Sequence, residues 1–141
     1  MSIEAVLLPL FVQIALTLAL LSWCAYLRTS ALNAGEVRDR DIALREPNWP
    51  ARATQVANCF HNQLELPVLF YVLTILAWIT HHADLLFVVM AWVFVASRLA
   101  HAYEHVTTNV VRRRGAIYGV GMIVLVLMWA IFIVRILFGL G

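Results

Sequence analysis

The chain has 141 residues, 63% of them hydrophobic and only 13% charged, with a mean hydropathy of +0.86. A soluble domain of this length carries about twice that charged fraction, so an ordinary soluble protein is excluded. A net charge of +2 gives no basis for a nucleic-acid partner, and membrane lipid is the expected surrounding.

The first apolar run covers residues 5–27. It lacks the basic leader of a cleavable signal and is longer than a signal core, so it is expected to be retained as a helix. A long polar loop follows, with Arg28, Arg38, Arg40, Arg45 and Arg52 diluted by four acidic residues. The second run covers 53–79, the third 85–105 and the fourth 116–138, separated by a tight turn at 80–84 and a short basic connection. Each is near the ~20 residues that cross a bilayer. None alternates like a strand, so all four are expected as helices, which satisfy their own backbone groups in lipid. The expectation is one all-α domain over residues 1–141, an integral membrane four-helix bundle. Cys24 and Cys59 lie inside apolar runs without a partner spacing and read as buried free thiols.

Arginine sets the orientation. All ten basic residues are Arg, and they concentrate in the first and third connections, where Arg112, Arg113 and Arg114 adjoin the fourth span. The positive-inside rule places these connections in the cytoplasm and both termini outside it. Arg135, near the outer end of the last span, is the dissenting charge. Trp49 and Trp78 suit the two interfaces of the second span.

The stretch Asn58-Cys59-Phe60-His61-Asn62-Gln63-Leu64-Glu65 puts polar groups into a membrane-spanning run, where they are expensive and mark a functional site by default. On a continuous helix Gln55, Asn58, Asn62 and Glu65 form one stripe with His61 at its margin. Arg98, His101, His105 and Asn109 form a second stripe at the same end of the third span. Two such stripes at one depth predict a Glu65–Arg98 ion pair inside the bundle. A bland alternative is that these groups only bridge helices, for about 0.6 kcal/mol each. Pro67 reads as a kink or register device.

A lesser alternative is a metal site. His101-Ala102-Tyr103-Glu104-His105 matches H-x-x-E-H, in which two histidines one turn apart face one metal and a glutamate acts as base. Glu104, however, projects toward another face, and a third ligand has to come from Glu65 or His61. No metal is assigned.

With these residues in place, the chain resembles the MAPEG family, the membrane-associated proteins of eicosanoid and glutathione metabolism. The resemblance covers essentially the whole chain. Its most specific part is the run from Asn62 to Phe70, followed by Arg98-Leu99-Ala100-His101 and Arg114-Gly115-Ala116-Ile117-Tyr118. It implies a homotrimer that binds glutathione as co-substrate between subunits near the cytoplasmic face. The implied activity is a transferase or peroxidase acting on lipophilic electrophiles. By this resemblance Asn62, Glu65, Arg98, His105, Arg114 and Tyr118 contact glutathione. Arg114 is also the catalytic group that stabilises the thiolate, with Arg113 as a one-residue-shifted alternative. For a bacterial chain the location implied is the inner membrane. The chain departs from the family pattern at Asn58 and His61, where arginines are common, and at His105, where a tyrosine is usual. These departures support an alternative, a non-catalytic member that binds another anionic or lipid ligand.

Overall fold

In the computed structural model, which describes all residues from 1 to 141, every regular element is a helix. α1 spans Ile3–Asn33, α2 Asp39–Ile42, α3 Ala51–Asn62, α4 Leu66–Ile79, α5 Leu85–Val106 and α6 Val111–Phe138. Counting α3 with α4, four helical columns are long and apolar enough to cross a membrane. The all-α, four-span reading therefore stands.

The helix ends differ from the apolar runs that announced them. α1 has 31 residues, about 46 Å of helix against ~30 Å of hydrocarbon. It continues past residue 27 because capping, and not loss of hydropathy, stops it. Gly35 takes φ +73°, and the Glu36 N–H returns to the Ala31 carbonyl at 3.0 Å, a Schellman-type stop. Likewise α6 begins at Val111 and not at residue 116, so Arg112, Arg113 and Arg114 are its first turn. Asn109, expected on the third helix, lies beyond its end with φ +52°.

The second span is two helices and not the continuous one expected. After Asn62 the N–H groups of Gln63, Leu64 and Glu65 bond three residues back, at 2.9, 3.0 and 3.3 Å. Pro67 supplies no N–H, and its ring crowds the carbonyl four residues before it, so the α-ladder cannot pass this point. α4 restarts with Pro67 in its first turn, where the missing donor costs nothing.

The columns form a square with α1 and α6 at opposite corners, each packed on α5 and on the α3–α4 column. One half is a continuous apolar core of Val6, Leu10, Phe70, Leu73, Ala91, Phe94, Val95, Leu125 and Met128, among others. Phe70 and Phe94 stack with ring centroids 4.8 Å apart. In the other half the apolar clusters are small, and Cys24 and Cys59 are buried there as free thiols. Between the two lies a buried polar layer. α6 approaches it closely because Gly121 faces Ser97, whose Oγ would stand 2.7 Å from any added Cβ.

At the far end from this layer Arg135, the charge that dissented from the expected orientation, donates to Asp84 at 2.8 Å. Asp84 also caps α5, accepting the Phe87 N–H at 2.9 Å. Burial opposes ionisation of Asp84, but the Phe87 N–H and Arg135 outweigh it and hold the carboxyl below its ordinary 3.8. A carboxyl depressed in the folded state stabilises the fold above its ordinary value, and that stability is lost as pH falls through the folded-state value. Asp84→Ala should cost ~1 kcal/mol, mostly from the lost cap. Asp84→Asn keeps a capping oxygen, so its smaller loss isolates the ion pair and should shrink at high salt. Unfolding in mixed micelles reads both, and an Asn variant as damaging as the Ala variant at every ionic strength contradicts this division.

Candidate functional site

The polar layer is built from four elements. On α1, Gln13 is fully buried and its Nε2 donates to Gln63 Oε1 at 3.0 Å. Gln63, fully buried at the end of α3, donates in turn to the Cys59 carbonyl at 3.0 Å. On α5, Arg98 is 1% exposed. Its Nη2 donates to Gln63 Oε1 at 3.3 Å, to the Asn62 carbonyl at 3.3 Å and to Asn62 Oδ1. The break between α3 and α4 makes this possible, because it turns the Asn62 carbonyl and side chain toward the same guanidinium. On α6, the Tyr118 ring lies under the Arg98 guanidinium at 5.6 Å.

Asn62 also donates to Glu65 Oε2 at 3.1 Å, and the Tyr118 hydroxyl donates to the same oxygen at 3.1 Å. The outcome is a chain of contacts from Arg98 through Asn62 to Glu65 and back through Tyr118. In front of it opens a hollow of about 260 Å³ lined by Asn62, Glu65, His101, Arg114 and Tyr118 together with Val111 and Gly115. Arg114 is positioned by a bond from its Nη1 to Asn109 Oδ1. Arg113 points elsewhere, to Glu104 at 3.7 Å. His105 is buried behind His101, ring centroids 5.5 Å apart, and does not line the hollow.

Two sequence expectations change here, and the lesser alternative of a metal site loses its glutamate. The Glu65–Arg98 ion pair is absent: the ion pairs are Arg38–Asp41, Glu104–Arg113 and Asp84–Arg135. Arg98 Nη2 is met by carbonyl-type oxygens of Asn62 and Gln63 while its Nε and Nη1 have no partner in the chain, and Glu65 is exposed on the bundle surface. The Gln55–Asn58–Asn62–Glu65 stripe also dissolves. Gln55 turns to the end of α5, donating to the His105 carbonyl at 2.8 Å. Asn58 and His61 line a second hollow of about 400 Å³ with Arg28, Arg45 and Trp49. Finally, Glu104 does not serve an H-x-x-E-H site. It closes the α5–α6 turn, accepting from Thr108 Oγ1 and from the Val110 N–H at 3.2 Å. No three His, Cys, Asp or Glu side chains converge in the chain.

Sequence reasoning passed over Gln13 and Gln63. Gln13 stands alone in an apolar span, and the rule that flags intramembrane polar residues applies to it as fully as to Asn62. Gln63 lies off the ideal stripe and joins the layer only because α3 ends beside it. A double-mutant cycle on Gln13→Leu and Gln63→Leu tests the layer. The expected coupling is ~0.6 kcal/mol and below about 1.7, and Gln63→Leu should be the costlier single change because it also releases Arg98 and the Cys59 carbonyl. Strictly additive losses contradict the contact.

No curated protein and no solved structure matches the chain. The model of the MAPEG family matches residues 6–134, a stretch that takes in all four columns and every residue of the polar layer. A match of that extent, on a four-span helical bundle, places this chain in the MAPEG family.

Proposed function

We propose that the chain is a membrane glutathione-dependent transferase or peroxidase acting on lipophilic electrophiles, with Arg114 stabilising the glutathione thiolate. Family membership supports the glutathione-linked class. The observation that carries the finer reading is the hollow itself. It joins a guanidinium, an imidazole, a phenol hydroxyl, an amide and a carboxylate within one membrane-embedded chain. The exposed Glu65 carboxylate suits the amino group of the tripeptide, and Arg114 is the charge available for a thiolate. A guanidinium beside a thiol in a site of low dielectric lowers the thiol pKa and raises the fraction of nucleophile near neutrality. Arg98 acts from behind, fixing Asn62 and Tyr118 against Glu65.

Small-molecule sites are usually 300–1,000 Å³ and bury most of the ligand. At about 260 Å³ the hollow is short of that, which supports a homotrimer in which a second copy completes it. In the same reading both termini lie outside the cytoplasm, in keeping with Arg28, Arg52 and Arg112–Arg114 gathering at one end. Terminal reporter fusions active in the cytoplasm overturn that orientation, and a clean monomer by native mass spectrometry overturns the trimer.

Asn58 and His61 favour a second reading, a non-catalytic member for another anionic ligand. Calorimetry of the detergent-solubilised protein against glutathione separates the two. Saturable binding is expected, and its absence at millimolar glutathione transfers support to the second reading.

A further inference from the structure

Along the outside of the bundle, α1 and α5 diverge to leave a groove of about 290 Å³ whose walls are entirely hydrophobic. Leu16, Ala19 and Trp23 of α1 face Leu99, Tyr103 and Val106 of α5 across it. Each wall runs seven residue steps along its helix, Leu16 to Trp23 and Leu99 to Val106, a length of about 10 Å. It ends under Arg52, at the polar start of α3. The Arg52 guanidinium lies 4.7 Å over the Trp23 ring, and its Nη1 donates to the Val106 carbonyl and to Gln55 Oε1 at 3.3 Å.

Two features at this end define the occupant. Arg52 has no carboxylate within ion-pair distance, since the chain's ion pairs use only Arg38, Arg113 and Arg135. Its protein contacts also use only one terminal nitrogen, so the Nε and Nη2 donors remain free. Those two form the parallel edge of the guanidinium fork, which matches two oxygens of a phosphate. An apolar groove one acyl segment long, closed by a cation with a free bidentate edge, has the two-part chemistry of a phospholipid. A headgroup of net negative charge gains most, because a basic residue at the surface is attracted to anionic lipid.

We propose that this groove is a binding site for one anionic phospholipid, with an acyl chain against Trp23 and its phosphate on Arg52. The site is on a different face from the hollow of Arg114 and Tyr118, and it does not depend on glutathione.

Trp23 gives the test its signal. The full-length protein is reconstituted in vesicles of phosphatidylglycerol or phosphatidylcholine carrying brominated acyl chains, and tryptophan quenching is measured. Subtracting the signal of Trp23→Phe isolates Trp23 from the other four tryptophans. Trp23 should be quenched, with phosphatidylglycerol favoured about fivefold over phosphatidylcholine, the size expected for one arginine at an anionic surface. Arg52→Gln should bring the preference to about one, and Arg52→Lys should keep most of it. Arg52→Lys also answers the objection that loss of the Val106 contact merely loosens the fold. Ala19→Phe, which fills the groove from an exposed position, should remove the Trp23 quenching by both lipids. Equal quenching by the two lipids in the wild type overturns the proposal, as does a preference untouched in Arg52→Gln. A Trp23 shielded from both lipids also overturns it, and shows instead that a second copy of the chain covers the groove.

Discussion

Arg114→Ala is expected to raise the pKa of bound glutathione thiol by about one to two units while weakening binding only modestly. An opposite charge within ~4–6 Å shifts an ionisable group by about that much, and Asn62, Glu65 and Tyr118 remain to hold the tripeptide. Turnover should fall about 10²-fold, the usual consequence of removing one preorganised group that meets developing or resident negative charge. Ultraviolet absorbance of the thiolate, followed against pH in wild type and variant, reads the effect without knowledge of the second substrate. Arg113→Ala is the control: its side chain leans to Glu104 and away from the hollow, so its titration should match wild type. A thiolate signal unchanged in Arg114→Ala but lost in Arg113→Ala reverses the assignment. No thiolate signal in the wild type defeats the transferase reading itself.

The largest loss of stability is expected at Arg98. Its side chain is buried, and one terminal nitrogen serves three carbonyl-type oxygens of Asn62 and Gln63. Hydrogen bonds from a charged donor are worth ~1.5–3 kcal/mol, and truncation leaves a cavity beside Tyr118 as well. Burial of the cation opposes part of this gain, so Arg98→Ala should cost about 2–4 kcal/mol. Arg98→Met separates the two components. Replacing a buried charge by an apolar group of similar length is often close to neutral for stability, so the Met variant should recover much of the fold. It should not recover glutathione binding, because Asn62 loses the contact that orients it toward Glu65. Denaturant unfolding in mixed micelles, paired with calorimetry, tests both halves. A Met variant that binds as wild type would show that Arg98 only fills space.

The Glu65–Arg98 ion pair that the two stripes predicted does not form. The reason lies in three residues. On an ideal helix Gln63 lies on a different face from Asn62 and Glu65, and the projection that grouped Asn62 with Glu65 assumed that the helix continued. Pro67 ends that continuity two residues beyond Glu65. The released turn carries Asn62 and Gln63 together to Arg98 and leaves Glu65 to Tyr118.

What the amino-acid sequence determined by itself was the membrane architecture: four helical spans, with the family pattern over Asn62–Phe70, Arg98–His101 and Arg114–Tyr118. These properties are legible because transfer to hydrocarbon is nearly additive along a segment, and a lone helix satisfies its own backbone without reference to any neighbour. Where the helices end was less legible. Asn33 and Val111 lie beyond the apolar windows because caps and turns set a helix end, and a helix can leave the bilayer without unwinding. Only the tertiary structure decided which arginine meets the hollow and which caps against Glu104, and that Gln13 and Gln63 belong to the polar layer. It also decided that Asp84 neutralises Arg135. Each of these depends on where a second or third chain segment arrives. Close approach of α6 at Gly121, the four-residue turn held by Glu104 and the break before Pro67 determine that arrival, and none of the three is a property of one segment's periodicity.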